Sequence, residues 1–305
     1  MSRAEALVRL RDRLGRAGVE SAEREAEWLL LHALQIDRAA YWTDPRAPLT
    51  PREADAVESL AVQRERRVPL QLLLGDLPFH GVMLRVEPGV FVPRPETEDL
   101  VEAVLAALGP SAQGSHAGRL DEGAPSALRS GALLDWGTGS GAIAVALLAA
   151  LPGWTAVGAD RSSAAVSLAA RNAARNGVAG RFQAVEADVS SPEGAALPGA
   201  PFDLVVSNPP YVRRGEISGL MAEVRDHDPR EALDGGPDGL DAFRHLAHGL
   251  PRWLGPGGLL ALEIGADQAD DVLGAFAALI GDPRVLPDRA GLPRFVIGTM
   301  RGGGA

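Results

Sequence analysis

The chain has 305 residues, a net charge of −10 at pH 7, 46% hydrophobic residues and no cysteine. This length suits one large domain with a small companion, and the acidic balance disfavours a protein whose main task is to hold a nucleic-acid backbone. The lack of thiols excludes a disulfide framework and a cysteine metal site, and the lack of a signal-peptide core or a long apolar run predicts a cytoplasmic protein.

The first 70 residues have the start signals and the apolar spacing of helices. Ser2 and Glu5 fit a capping box, in which each side chain bonds the other residue's backbone N–H. The segment Thr50–Glu53 adds a proline in the first turn to the same pattern. We therefore expect an N-terminal helical domain over residues 1–70. Glycine and proline then separate short apolar runs, which predicts a connecting β-hairpin over residues 71–92.

Residues 93–305 are predicted to form the larger domain. A helical pattern from Pro95 to Leu108 precedes residues 109–131, whose Gly, Ser and Ala content is typical of a flexible linker. After this linker, apolar strands alternate with helices, which predicts an α/β fold with a doubly wound, mostly parallel sheet. The predicted strands are 132–136, 155–160, 182–185, 202–207, 259–264 and 294–300, and the predicted helices lie near 141–151, 162–176, 238–254 and 267–280.

The segment Asn208–Tyr211 has the sequence Asn-Pro-Pro-Tyr and directly follows the predicted strand that ends at Ser207. In open α/β folds, turns at the carboxyl ends of parallel strands hold ligands. A planar nitrogen conjugated to a carbonyl or a ring is a weak nucleophile. The Asn208 side-chain oxygen and the Pro209 carbonyl can accept its two protons and point it at an electrophilic methyl group, while Tyr211 packs on the flat group. A simple proline-rich turn is the alternative.

A glycine-rich loop, Asp135–Gly141, joins the first predicted strand of the sheet to its helix. Glycines allow the backbone to approach a ligand closely, yet Gly137 and Gly139 alone also fit a relaxed dinucleotide fingerprint. Asp135 favours another ligand, because a carboxylate disfavours a pyrophosphate but can order the loop or face an ammonium group. S-adenosylmethionine carries an ammonium group and a sulfonium and no phosphate, so we expect this cofactor.

Polar residues after two further strands extend the predicted cofactor site. Asp160 ends the second strand, where an acid accepts hydrogen bonds from ribose hydroxyls; a role at the start of the next helix is the alternative. Asp188 and Val189 follow the third strand and are predicted to flank the adenine, with an exposed loop acid as the alternative for Asp188. His245 and His248 lie three residues apart on a predicted helix, but no third ligand is near, so we expect no metal site.

Together these motifs resemble the protein-(glutamine-N5) methyltransferases that modify peptide chain release factors, the PrmC/HemK family. The resemblance covers nearly the whole chain. Val189 departs from the family, because many members carry an aromatic residue there. The matching segments, in chain order, are Pro69–Gly75 with Phe79 and Gly81, Phe91–Glu98 (Phe-Val-Pro-Arg-Pro-Glu-Thr-Glu), Leu134–Ala144, Asn208–Tyr211 and Ala232–Leu240.

The resemblance implies a seven-stranded, Rossmann-like class I S-adenosylmethionine-dependent methyltransferase domain, ending in an antiparallel hairpin, behind a small helical bundle that helps to hold the release factor. It implies methyl transfer to the side-chain amide nitrogen of the glutamine in the Gly-Gly-Gln motif of bacterial release factors, with S-adenosylhomocysteine as the product. The predicted cofactor residues are Asp135, Gly137, Thr138, Gly139, Ser140, Gly141, Asp160, Asp188, Val189 and Asn208. The predicted catalytic residues are Asn208, Pro209 and Tyr211, and the predicted glutamine-binding residues are Asn208, Pro209, Pro210, Tyr211, Arg94 and Glu96.

Several alternatives stay open. Arg94 and Glu96 equally fit a plain helix entrance. The polar cluster of residues 226–228 predicts a surface loop, with a loop over the active site as the alternative. A DNA or ribosomal-RNA amino-methyltransferase can use an Asn-Pro-Pro-Tyr turn on a base nitrogen, but it must flip a base and hold phosphates, and this acidic sequence has no evident basic region. A non-catalytic interaction module is disfavoured by the intact Gly137, Asp160 and Asn208. We expect a monomer that binds release factors and neither nucleic acid nor a membrane.

Overall fold

The computed structural model describes residues 1–109, 130–188 and 196–302. Most of the predicted linker 109–131, and Val189 of the predicted adenine site, lie outside these ranges. The chain divides into two compact units. One consists of Met1–Asp76 with Met221–His227, and the other of Leu77–Leu220 with Asp228–Ala305. None of the helices in the described ranges is long and apolar enough to cross a membrane.

The first unit is helical. Both predicted capping boxes are confirmed: Ser2 with Glu5, and Thr50 with Glu53, bond each other's backbone N–H groups. A third, six-residue helix was not predicted, because it is too short to show an apolar period. The helices are α1 (Arg3–Arg16), α2 (Ala22–Leu34), α3 (Arg38–Thr43), α4 (Pro51–Glu65) and α5 (Leu70–Leu74), around a core that includes Leu10, Leu14, Leu29, Leu30, Tyr41 and Val57.

A short segment that comes much later in the chain belongs to the same unit. It contains the four-residue helix α9 (Ala222–Arg225). The Arg64 side chain, 5% exposed, donates to Glu25 at 2.5 Å and to Glu223 at 3.0 Å, and Arg67 also donates to Glu223. Because a buried charge is costly without its partner, these ion pairs fix Met221–His227 to the helical unit.

A two-stranded hairpin lies at the start of the second unit. Its strands are β1 (Asp76–Phe79), of which all but the first residue belong to this unit, and β2 (Val82–Arg85). The hairpin is shorter than the predicted 71–92, because the chain from Leu70 to Leu74 is helical. Two asparagines occupy the free edge of β2. Asn172 accepts from Arg85 N–H at 2.7 Å and donates to its carbonyl, and Asn176 does the same at Met83. The hairpin is thereby attached to the large unit by side chains that replace a strand partner.

The large sheet has seven strands in the order β5-β4-β3-β6-β7-β9-β8. All pairs from β5 to β7 are parallel, and β9 is antiparallel to both neighbours, so the predicted doubly wound, mostly parallel sheet is confirmed. The strands are β3 (Gly131–Trp136), β4 (Trp154–Asp160), β5 (Phe182–Glu186), β6 (Phe202–Ser207), β7 (Leu254–Glu263), β8 (Ile280–Pro287) and β9 (Pro293–Met300).

Helices cover both faces of the sheet. Successive residues of β3 point to opposite faces, so Leu133 packs with α6 and α7, and Leu134 with α10 and α11. β8 was not predicted as a strand from the residue pattern. It is an exposed edge strand that contains prolines, which edges tolerate and which hide the usual strand signal. The helices of this unit are α6 (Pro95–Leu108), α7 (Ala142–Ala150), α8 (Ser163–Arg175), α10 (Asp241–Trp253) and α11 (Ala269–Phe276).

Candidate active site

Three predicted site segments share one edge of the sheet. Asp135 on β3 is in register with Gly158 on β4 and with Val206 on β6. The loop after β3, the end of β4 and the turn after β6 therefore follow three adjacent parallel strands at their carboxyl ends. This is where open α/β sheets bind ligands.

The loop after β3 is tied to the neighbouring strand. Gly137 N–H and Thr138 N–H both donate to the Ala159 carbonyl, at 2.9 and 3.0 Å. Gly139 has a φ of +54° and has open space where a side chain would start, whereas a Cβ at Gly141 would lie 3.0 Å from that of Ala169. Gly141 is therefore required by packing against α8, and Gly139 leaves the backbone accessible to a ligand.

Asp135 is a buried carboxylate with one unsatisfied oxygen. It is 1% exposed, and its Oδ2 accepts from Thr138 Oγ1 at 2.8 Å and from Ala144 N–H at 3.2 Å. Its Oδ1 is buried and has no hydrogen-bond partner among the described residues. Burial is the main cause that raises the pKa of this carboxyl to about 7. Since buried polar atoms are normally hydrogen-bonded, Oδ1 fits a donor group supplied by a ligand, such as an ammonium.

Asp160 connects the loop to the start of α8. Its Oδ2 accepts from Gly139 N–H and its Oδ1 from Ser162 N–H, both at 2.9 Å. Ser162 itself caps the helix by accepting from Ala165 N–H. A carboxylate has about four lone-pair positions, so Asp160 can order the loop and still accept from hydroxyl groups. The exposed Asp188 follows β5, and its role at the adenine stays a prediction.

The Asn208–Tyr211 turn is bound to a buried network. Asn208 Nδ2 donates to Thr97 Oγ1 at 3.1 Å, and Thr97 Oγ1 lies 2.8 Å from Glu263 Oε2. The Tyr211 hydroxyl donates to Glu263 Oε1 at 3.3 Å. The turn therefore has a defined orientation for both the carboxamide and the ring, which a plain proline turn would not need.

Glu263 was not predicted as a site residue. It is 2% exposed at the end of β7, and burial raises its pKa to about 7 against the lowering effects of Thr97 and of the Arg294 charge. Burial and the negative charge of Glu263 likewise raise the pKa of Tyr211. A signal was present in the sequence: Glu263 is an acid at the end of an apolar strand, as Asp135 and Asp160 are.

Arg94 and Glu96 lie at the start of α6. The Arg94 guanidinium is ion-paired with Asp228 and lies 5.0 Å from the centre of the Phe91 ring. Asp228 is buried and also faces Val92 N–H, so the expectation of a surface loop was wrong at that residue. Glu96 is exposed, and its charge is among the minor causes that raise the pKa of Glu263, after burial. A direct contact of Arg94 or Glu96 with substrate stays a prediction.

The backbone of Tyr211 contacts two residues from later in the chain, Gly239 and Gln268. The buried Gln268 donates to the carbonyls of Tyr211 and Gly239, at 3.0 and 3.2 Å, and accepts from Gly265 N–H. A Cβ at Gly239 would lie 2.5 Å from the Tyr211 carbonyl oxygen. Only glycine allows this approach. In the described part of the chain, no group of three or more His, Asp or Glu side chains could hold a metal ion.

The strand order with a single reversed strand, the glycine loop after β3 and the Asn-Pro-Pro-Tyr turn after β6 define a class I methyltransferase fold. Two family matches agree with this class. The methyltransferase small domain matches residues 119–232, and the PrmC N-terminal domain matches residues 5–75.

Relatives identify the family. The release factor glutamine methyltransferase of Geobacter sulfurreducens is 42% identical over 87% of this chain and 84% of that protein. The same-named protein of Cereibacter sphaeroides is 41% identical over 97% of this chain and 98% of that protein. The human MTRF1L release factor glutamine methyltransferase is 38% identical over 81% and 71%. This chain belongs to the family of release factor glutamine methyltransferases, which confirms the resemblance found in its sequence.

Proposed function

We propose that this protein transfers a methyl group from S-adenosylmethionine to the side-chain amide nitrogen of the glutamine in the Gly-Gly-Gln motif of bacterial peptide chain release factors. The observation that carries the proposal is the orientation of Asn208. Its Nδ2 donates one hydrogen to Thr97, which leaves Oδ1 free to accept a hydrogen bond from a substrate, next to a loop suited to the methyl donor. Family membership supplies the class of substrate.

The residues after β3 and β4 fit the cofactor. Asp135 Oδ1 would accept from its ammonium group, which favours the ionised form of the carboxyl on binding. The Gly137–Gly141 backbone would line the amino-acid portion, Asp160 would accept from the ribose hydroxyls, and Asp188 with Val189 would flank the adenine. When bound, this cofactor supplies an electrophilic methyl group on a sulfonium.

The turn after β6 would position the nucleophile. The lone pair of an amide nitrogen is delocalised into its carbonyl, so the nitrogen is a weak nucleophile. Asn208 Oδ1 and the Pro209 carbonyl would accept hydrogen bonds from its two N–H groups and hold the nitrogen in line with the methyl group. Tyr211 and Pro210 would pack against the flat amide. Such positioning contributes several kcal/mol to lowering a barrier. The methylated amide then loses a proton to water, so no general base is required.

The partner would be a protein. The net charge of −10 supports a protein substrate over nucleic acid, which needs phosphate contacts. The helical unit, matched as a PrmC N-terminal domain, would help to hold the release factor. We propose that the protein acts as a cytoplasmic monomer.

Mass spectrometry of a bacterial release factor, after incubation with the protein and S-adenosylmethionine, tests the proposal. We expect one added methyl group on the glutamine of Gly-Gly-Gln. The matched control is the same release factor with that glutamine replaced by alanine, which should stay unmodified. No methyl on the wild-type factor, with cofactor binding shown by calorimetry, would refute the substrate and redirect the search to nucleic-acid substrates.

A further inference from the structure

We infer that Glu263 is a positioning residue that sets, through Thr97, which end of the Asn208 carboxamide faces the substrate. This inference rests on the proposed function and names a residue outside the predicted site. Asn208 can help a glutamine nitrogen only if its oxygen points to the substrate. The shape of the side chain alone does not fix this direction, because the oxygen and the NH2 group of a carboxamide have nearly the same shape.

The direction follows from the hydrogen count of the network. An ionised carboxylate only accepts hydrogen bonds, and a hydroxyl has one hydrogen. Thr97, 3% exposed, gives its hydrogen to Glu263 Oε2 at 2.8 Å. Its oxygen can then only accept, and the group at 3.1 Å must be the NH2 of Asn208. The Asn208 oxygen is therefore left on the opposite side of the carboxamide.

Two hydroxyl donors and one positive charge favour the ionised, accepting form of Glu263, which prevails above its pKa of about 7. The Tyr211 hydroxyl on the turn after β6 donates to its other oxygen at 3.3 Å. The positive charge of Arg294 on β9 also favours the ionised form, whereas burial and the negative charge of Glu96 on α6 favour the protonated form. Both carboxylate oxygens thus face hydroxyl donors, and one acidic residue orients the carboxamide and the tyrosine ring together.

The arrangement also explains a choice of substrate chemistry. A site that presents an acceptor binds the N–H groups of glutamine, whereas the deamidated form, glutamate, offers only a negatively charged acceptor. If the carboxamide turned round, its NH2 group would face the substrate and this discrimination would be lost. Glu263 and Thr97 would therefore act on the reaction without touching the substrate.

Two substitutions of Thr97 test whether Glu263 orients Asn208 through this hydroxyl. Thr97→Val keeps the shape and removes the hydroxyl, and Thr97→Ser keeps the hydroxyl. We expect Thr97→Val to lower kcat on the release factor by about tenfold to a hundredfold, the range that misplaced reacting groups produce. Thr97→Ser should restore kcat to near the wild-type value. The Kd for S-adenosylmethionine, measured by calorimetry, should be unchanged in both and reports that they fold.

Glu263→Gln gives a second line of evidence. A neutral amide can donate or accept at Thr97, so both directions of the Asn208 carboxamide become possible. With S-adenosylmethionine at saturating concentration, so that protonation of Asp135 does not limit cofactor binding, we expect a reduced kcat at pH 8 with no further fall as the pH is lowered to 6. In the wild type, kcat should fall over this range as Glu263 gains a proton.

Several results would overturn the inference. They are a Thr97→Val protein with wild-type kcat, a Thr97→Ser protein as impaired as Thr97→Val, or a Glu263→Gln protein with the wild-type pH profile. If the wild type itself does not methylate the release factor, the proposed function fails and the inference fails with it. A wild type that methylates, together with a fully active Thr97→Val, would refute the inference alone.

Discussion

Replacing Asp135 with asparagine should stabilise the protein without its cofactor and weaken its binding of S-adenosylmethionine. Burial raises the pKa of this carboxyl from 3.8 to about 7. At about 1.4 kcal/mol per pH unit, this rise corresponds to about 4 kcal/mol of lost folding free energy above pH 7. Asparagine avoids that loss, but its buried NH2 group would replace the unpartnered Oδ1, which costs about 1–3 kcal/mol. We expect a net gain of about 1–3 kcal/mol.

The pH dependence gives this prediction its sign. The pKa of Asp135 is higher in the folded state than the unfolded value of 3.8. The stability that the protonated carboxyl contributes is therefore fully present below pH 3.8 and is lost as the pH rises to about 7. Urea unfolding should therefore show a large difference between Asp135→Asn and wild type at pH 8, and a smaller one at pH 5. Calorimetry should show a Kd for S-adenosylmethionine raised at least about tenfold, because a charge-assisted hydrogen bond is lost.

Asp55 provides the matched control. It is exposed on α4, so Asp55→Asn should change the free energy of unfolding by no more than about 0.5 kcal/mol at either pH. Asp135→Asn would refute the reasoning if it were no more stable than wild type at pH 8, if its effect were equal at both pH values, or if it bound the cofactor with an unchanged Kd.

Three further substitutions test other contacts. Asn208→Ala should abolish methyl transfer while calorimetry gives a near wild-type Kd for S-adenosylmethionine; full turnover would contradict the assigned role. Asp160→Ala should weaken cofactor binding by about 1–3 kcal/mol. An unchanged Kd would show that Asp160 only orders the loop and the start of α8. Glu223→Gln removes one of the two carboxylates that pair with Arg64, while Glu25 remains, and should reduce the free energy of unfolding in urea by about 1–2 kcal/mol; equal unfolding midpoints for the variant and the wild type would contradict this expectation.

The sequence predicted the features that depend on neighbouring residues. The capping boxes of α1 and α4 involve residues three apart, so the local pattern was sufficient. The predicted strand ends at Trp136, Asp160 and Ser207 agree with the structure, because buried parallel strands are continuous apolar runs that stop at a polar or glycine-rich turn.

Contacts between distant residues were not predictable in the same way. Thr97 and Glu263 are 166 positions apart, and nothing in either segment alone shows that they meet. Asp228 lies in a run of polar residues that is typical of a surface, yet Arg94, 134 positions earlier, pairs with it. Single-sequence patterns report on burial and local hydrogen bonding, and carry no direct information about which distant polar groups become partners.

The two stretches that make up the helical unit have a consequence for how such proteins can diverge. Recombination between two related genes with a single crossover at residue 76 would take Arg64, Arg67 and Glu25 from one parent and the Met221–His227 segment from the other. A buried arginine would then meet a foreign residue in place of Glu223. The N-terminal unit therefore keeps its buried ion pairs only if that short later segment comes from the same parent. The two stretches should change together during evolution despite their distance in the gene.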